Sequence, residues 1–282
     1  MILKDKIIIV TGGSDGIGFS VSKKILSEGG IVVIFSRNKT KLKSAEKELK
    51  KISKNVYYFA GDVSKLIDVE LFYIFIKEKF GKINGIVNCA GIYGPIGKTT
   101  NINMSDFLKT IEINLMGTIY MCNIFSSLFS SDYKKKIVNF SGGGAATPFP
   151  NYSAYATSKA AIVRFTENLA IELAYENFEV NCIAPGFVAT KIHQQTLNTD
   201  PNIVGQVFYE STKKQLETGG VSSEKAADLT TFLLSDDSNG ITGKFISAPW
   251  DSWQDLEFQE LLKSDKDFST LRRIDNKTFF KK

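Results

Sequence analysis

The stretch from Lys6 to Gly18, KIIIVTGGSDGIG, decides the fold. Its first half is a short β-branched run with no polar interruption, as expected for a strand covered on both faces. The run then breaks into a glycine-rich turn, and a helical pattern over 17–28 follows. Gly12, Gly16 and Gly18 permit a tight turn, close approach of backbone to a diphosphate, and tight packing of helix on strand. Ser14, Asp15 and Ile17 are carried to the same ligand by their neighbours. The helix start directs free N–H groups and a positive dipole end at an anion. A glycine cluster alone also fits a plain flexible turn. A strand before it, a helix after it and a second strand beginning about twenty residues downstream favour the diphosphate.

Working outward, further strands are predicted at 31–36, 56–60, 83–89, 136–141, 179–184 and 244–248, all nearly continuously apolar. Helical patterns lie between them, near 39–52, 65–79, 103–130, 153–177 and 223–235. Repeated strand–helix order implies right-handed crossovers and an α/β fold. The expectation is a doubly wound, Rossmann-type parallel sheet of about seven strands, flanked by helices on both faces. No linker divides residues 1–248, which are expected to form one domain. The segment 187–218 interrupts the alternation as a lid over the substrate, and 249–282 forms a C-terminal extension.

Composition narrows the classes. The hydrophobic content of 43% suits a sizeable core, and the formal charge of +5 is spread along the chain. Basic residues do not cluster with aromatics, so no nucleic-acid partner is expected. The N-terminal apolar run is too short for a signal peptide or a membrane span, and no other segment reaches spanning length. Cys89, Cys122 and Cys182 lack metal-type spacing and suggest buried thiols in a reducing compartment. A cytoplasmic protein without a metal site or membrane contact is the expectation.

The second strand ends IFSRNKTKL. A free ribose 2′-hydroxyl favours a carboxylate at this place, whereas a 2′-phosphate favours a cation. Ser36 and Arg37 stand here, with Lys39 and Lys41 close behind, so NADP(H) is expected over NAD(H). Arg37 can pair with phosphate through its planar fork, or simply start a solvated helix. After the third strand, Asp62 can accept a bond from the adenine amino group and Val63 can pack on the ring. Asp62 can equally cap the next helix.

Three tyrosines have a lysine four residues on: Tyr73/Lys77, Tyr155/Lys159 and Tyr209/Lys213. Helical spacing puts each pair on one face. Tyr155 alone begins a helix that follows a strand ending in a serine, Ser141, fourteen residues upstream. Strand ends line the ligand crevice of such a sheet, which singles out Tyr155.

The loop TGGSDGIG, NCAG at 88–91, Asn114, Ser141, YATSK at 155–159 and PGFVAT at 185–190 together resemble the short-chain dehydrogenase/reductase family. The likeness runs from residue 4 to about 248, and the glycine spacing is similar to the compact, single-domain branch. It implies interconversion of a carbonyl and a secondary alcohol, with Tyr155 as acid/base. Lys159 would lower the phenol pKa and bond the nicotinamide ribose. Ser141 would donate to the substrate oxygen, and Asn114 would hold a water linking Lys159 to solvent. Asn88, Ala90 and Gly91 would floor the adenosine site. Pro185 and Gly186 would turn under the nicotinamide, with Val188 and Thr190 near its carboxamide. The resemblance also implies a homodimer or homotetramer built on the long helices.

Some features depart from that pattern. Ser141 is followed by three glycines, which leave room beside the reacting carbonyl. The lid mixes polar and apolar residues, favouring a polar, sugar-like carbonyl, with a 3-oxoacyl thioester as the alternative. His193 reads as an exposed loop residue, or as a substrate contact. In the extension, Trp250 and Trp253 precede an amphipathic helix expected to use Leu256, Leu261 and Leu262. It would pack on its own domain or on a neighbouring subunit. A reading of another class is a cofactor-binding regulator or scaffold without catalysis. The Ser141/Tyr155/Lys159 set argues against it.

Overall fold

In the computed structural model, which describes residues 1–273, the β-branched runs form parallel strands hydrogen-bonded in the order β3-β2-β1-β4-β5-β6-β7. These are β1 (Ile7–Thr11), β2 (Ile31–Ser36), β3 (Val56–Ala60), β4 (Gly85–Asn88), β5 (Lys135–Phe140), β6 (Phe178–Ala184) and β7 (Phe245–Ser247). Strand order reverses between β1 and β4, which opens a crevice beyond their C-terminal ends. Neighbouring residues of one strand serve opposite faces, which is why the runs carry no polar alternation. Ile8 and Val10 join the layer that contains Ile34 and Ile183, while Ile9 joins Val33 and Ile86 on the other side.

Helices α1 (Gly16–Ser27), α2 (Lys39–Leu49) and α10 (Ser223–Leu234) cover the first face. The second is covered by α3 (Leu66–Phe80), α5 (Gly117–Phe125) and α6 (Ser153–Glu172). Phe72 of α3 stacks on Phe35 of β2 with ring centroids 4.5 Å apart.

The single long helix expected over 103–130 is instead broken. α4 (Met104–Ile111) passes through a π-helical turn, Glu112–Met116, before α5 begins. Such a turn inserts a residue into the helical ladder and bends the rod. Periodicity cannot reveal it, because both halves keep an apolar face. The lid is helical too: α7 (Lys191–Leu197), α8 (Pro201–Val204) and α9 (Gln206–Glu217) fold over the crevice.

The extension straps the edge of the sheet. Phe245 N–H donates to Ser269 O at 2.7 Å, and Ser247 N–H donates to the Asp251 carboxylate at 2.7 Å. Lys244 Nζ donates to the Asp265 and Phe268 carbonyls. Further on, Glu167 of α6 accepts from Leu271 N–H and pairs with Arg272 at 2.8 Å. Trp253 is buried against Phe232 with its indole N–H on the Ala248 carbonyl, whereas Trp250 is 63% exposed. α11 (Leu256–Ser264) buries Leu262 but leaves Leu256 and Leu261 exposed, so only one of the three expected leucines anchors it. Residues 274–282 of the extension lie outside the described residues. Among the described residues no helix is long and apolar enough to cross a membrane.

Candidate active site

The turn between β1 and α1 is shaped by what its glycines omit. Gly12 has φ +70°, and a Cβ there would lie 3.1 Å from the Ala90 backbone. A Cβ on Gly18 would stand 2.5 Å from the Gly12 carbonyl oxygen, so α1 can press onto the turn only without one. Asp15 caps α1 by accepting from Gly16 N–H at 2.9 Å. Beyond this turn lies a cavity of about 830 Å³, bordered by Ser14, Gly16 and Ile17 at one end and by Phe208 and Trp250 at the other. Its size falls in the range of small-molecule and cofactor sites. The bare glycine cradle at a helix start fits the diphosphate of a dinucleotide.

Ser36, Arg37 and Lys41 line the end nearest β2, with Ser14 Oγ donating to Ser36 Oγ at 3.0 Å. Lys41 also reaches Asp15 at 3.2 Å, and Lys191 from the lid reaches the same carboxylate at 2.8 Å. Burial works to raise the Asp15 pKa, but the bonds from Lys191, Lys41 and the Gly16 amide outweigh it and bring it below the usual value.

Two expected dinucleotide contacts do not face the cavity. Asp62 accepts from Ser64 N–H and Oγ at 3.0 and 2.8 Å and sits 3.7 Å from Arg37, so it closes its own turn. Val63 beside it does line the cavity. Asn88 is buried, with Nδ2 donating to Asn139 Oδ1 at 2.9 Å and contacting Cys122 Sγ. It ties β4 to β5 and α5 rather than flooring the site, which is left to Ala90 and Gly91. Pro185, Gly186, Val188 and Thr190 border the cavity as expected from their place after β6.

Tyr155 lies in the first turn of α6 and Lys159 one turn further, both buried at the cavity wall. Lys159 Nζ stands 5.6 Å over the Tyr155 ring and donates to the Phe140 carbonyl at 2.8 Å. Lys77 over Tyr73 has a similar spacing, 5.9 Å, but on α3 away from the cavity. Helical geometry produces both pairs; burial and the crevice distinguish them. Tyr209 instead donates to the Leu197 carbonyl within the lid. Burial dominates both members of the pair. It pushes the Tyr155 phenol up and the Lys159 ammonium down to about 8. Burial thus works against the lowering of the phenol expected from its lysine.

Asn114 sits at the π-helical turn, fully buried behind the cavity. Its Oδ1 accepts from Ile92 N–H at 2.9 Å, while Nδ2 donates to the Ile92 carbonyl and to Ser158 Oγ, each at 2.9 Å. The side chain therefore clamps the loop after β4 onto α6. A Cβ on Gly91 would lie 3.3 Å from Asn114 Oδ1 and 3.4 Å from Lys159 Nζ, so the three groups meet at one point.

Ser141 borders the cavity, and its hydroxyl already has a partner in the protein. It donates to the Lys159 carbonyl at 3.0 Å and faces the Cys182 thiol.

Sequence reasoning missed an aromatic wall opposite. Tyr93, Tyr152, Tyr155 and the flanking Phe149 and Phe208 form one cluster. His193 is buried rather than exposed: its ring stacks on Phe187 at 3.8 Å, and Nδ1 lies 2.7 Å from Tyr93 Oη. Burial lowers its pKa to about 4, so the imidazole is neutral.

A glycine cradle at the switch point of a doubly wound sheet, with a buried Tyr–Lys pair one turn apart, defines a dinucleotide-dependent oxidoreductase site. The short chain dehydrogenase family model matches residues 6–201, and the chain belongs to the short-chain dehydrogenase/reductase family. Dehydrogenase/reductase SDR family member 4 of Caenorhabditis elegans is 31% identical over 242 residues, spanning 86% of this chain and 92% of that protein. The structure of levodione reductase superposes with a TM-score of 0.79 at 25% identity, covering 89% of this chain and 98% of the other. YwfH, an NADPH-dependent reductase involved in bacilysin biosynthesis, superposes at 0.76 and 27% identity, covering 87% and 97%. The protein is thus an oxidoreductase of a family that binds nicotinamide dinucleotides and acts on small molecules.

Proposed function

We propose that the protein is an NADP(H)-dependent reductase that interconverts a carbonyl and a secondary alcohol, with Tyr155 as the acid/base. The observation that carries this reading is the burial of Tyr155 and Lys159 together at the wall of the cavity that begins at the glycine turn. A nicotinamide dinucleotide supplies or accepts the hydride when bound. Gly12, Gly16 and Gly18 would cradle its diphosphate, and Ser36, Arg37 and Lys41 its 2′-phosphate. The similarity to an NADPH-dependent reductase supports the preference.

Tyr155 delivers its phenolic proton to the substrate oxygen in reduction and takes it back in oxidation. Lys159, held on the Phe140 carbonyl, keeps a donor beside the phenol and favours its anion once the ring has given up the proton. Asn114 acts behind them by fixing the loop that carries Gly91 against α6.

The substrate end of the cavity is walled by Tyr93, Phe149, Phe187, Ile192 and Phe208. That wall supports a compact apolar carbonyl in place of the sugar-like substrate expected from the lid sequence. A regulator without catalysis is disfavoured, since a binding module has no use for a buried phenol–ammonium pair in its cleft.

The test is consumption of NADPH with cyclohexanone, acetophenone, an acetoacetyl thioester and a ketose, for wild type and Tyr155→Phe. Turnover of the two apolar ketones ahead of the ketose, lost in the variant, is the expected result. Undiminished turnover in Tyr155→Phe would overturn the acid/base assignment.

A further inference from the structure

A carbonyl that receives hydride gathers negative charge on its oxygen, and Tyr155 supplies one hydrogen bond to it. A second preorganised donor contributes ~3 kcal/mol in sites of this kind. Ser141 does not supply it, because its hydroxyl is committed to the Lys159 carbonyl. The residue beneath the phenolic oxygen is Gly142, where a Cβ would run into Tyr155 Oη.

Tyr93 packs against Tyr155 at the cavity wall. Its ring meets that of Tyr155 edge-on, with centroids 4.8 Å apart, and it is 4% exposed. Tyr152 packs edge-on against it at 5.2 Å, and the Tyr93 hydroxyl lies 2.7 Å from His193 Nδ1. His193 is fixed in turn by stacking on Phe187. Both Tyr93 and His193 border the cavity.

We propose that Tyr93 is the second donor to the substrate oxygen, held in place by His193 as a positioning residue. The proposal rests on the carbonyl chemistry assigned above. The proposal requires the imidazole proton on Nδ1, so that His193 donates to Tyr93 Oη and leaves the hydroxyl hydrogen for the substrate. The Val188 carbonyl is the competing acceptor for the ring. Hydride bonds to the carbonyl carbon, the C=O π pair moves to oxygen, and that oxygen takes the Tyr155 proton. Tyr93 keeps its own proton throughout and only donates a bond. Burial, with Tyr155 and Tyr152 nearby, pushes the Tyr93 phenol upward, which holds it protonated and keeps it from competing as the acid. Gly142 then has a function of its own, because the absent side chain admits the bulk of a ketone beside Tyr155.

The test compares Tyr93→Phe, His193→Phe, the double variant, His193→Asn and Ser141→Ala on the fastest carbonyl of the four named above. Tyr93→Phe is expected to lower kcat ten- to a hundredfold with the KM for NADPH unchanged. His193→Phe should do the same, the double variant should be no worse than either single one, and His193→Asn should recover part of the loss. Ser141→Ala should stay within about threefold of wild type, since it contributes no donor to the oxygen. A collapse in Ser141→Ala with Tyr93→Phe unaffected overturns the proposal, as does strict additivity of the two single losses. These outcomes leave the Tyr155 assignment standing, whereas turnover in Tyr155→Phe removes that assignment first. If none of the four carbonyls is reduced, a crystal structure with NADP+ and cyclohexanol decides. An alcohol oxygen bonded to Tyr93 Oη supports the proposal, and one bonded to Ser141 Oγ, or no alcohol at Tyr93, overturns it.

Discussion

The Lys159 ammonium stands 5.6 Å over the Tyr155 ring while its hydrogen bond goes to the Phe140 carbonyl, at the end of β5. The lysine is thus anchored to the sheet, and the tyrosine is presented one helical turn before it. Lys159→Met removes this anchor and the charge, and is expected to lower kcat at least a hundredfold. Tyr155→Phe is expected to lose nearly all turnover. Both variants should keep NADP+ affinity within about tenfold, read by fluorescence or calorimetric titration.

At the opposite end of the cavity, Arg37 is half exposed and faces Asp62 at 3.7 Å, with Lys41 free to turn from Asp15 toward a bound phosphate. Arg37→Asp is expected to reverse the cofactor preference, raising the KM for NADPH more than tenfold while that for NADH falls. Lys41→Ala should weaken NADPH alone, by a few-fold. Kinetics with each cofactor at several salt concentrations check this, since exposed charge pairs weaken with ionic strength.

His193 gives a pH signature in stability. Its folded-state pKa of about 4 lies below the free value near 6.5, so the unfolded chain binds the proton first as pH falls. Its contribution is fully present above about pH 6.5 and is lost on the way down to pH 4, on the order of 3 kcal/mol in all. Urea unfolding at a series of pH values should show a steeper loss for wild type than for His193→Phe. Equal slopes would mean the ring is not buried neutral.

Two tryptophans three residues apart should behave differently. Trp253→Ala empties a buried site between Phe232 and the Ala248 carbonyl and is expected to cost about 3–5 kcal/mol of stability. Trp250→Ala, at the exposed rim of the cavity, should leave the unfolding midpoint nearly unchanged and alter the KM for the carbonyl.

Much of this molecule can be read from the residues because local signals agree. Continuous β-branched runs, the glycine turn and helical spacing each point to the same parallel sheet, and Tyr155 is singled out by what precedes it. The failures share a physical origin as well. The Ser141 hydroxyl is taken by the Lys159 carbonyl across the packing of α6 on the sheet, which counting fourteen residues back from Tyr155 cannot reveal. His193 looks like a loop residue because its partner Tyr93 lies 100 positions away. Asp62 carries the right chemistry at the right strand end, yet it closes its own turn, while Asn88 spends its Nδ2 on Asn139 and keeps an unpartnered Oδ1. In α11 the apolar residues suggest three leucine anchors, but the buried face carries Gln259 and Leu262 and leaves Leu256 and Leu261 in solvent.

The strap along β7 sets a limit on how copies of this chain can meet. Both outward-facing amides of that short strand, on Phe245 and Ser247, are already satisfied from within the same polypeptide. An eighth strand from another molecule would find no donors to zip onto, and the hazard of runaway ribbon growth is removed at that border. A companion subunit arriving there would meet acceptors alone, too few for a continuous ladder.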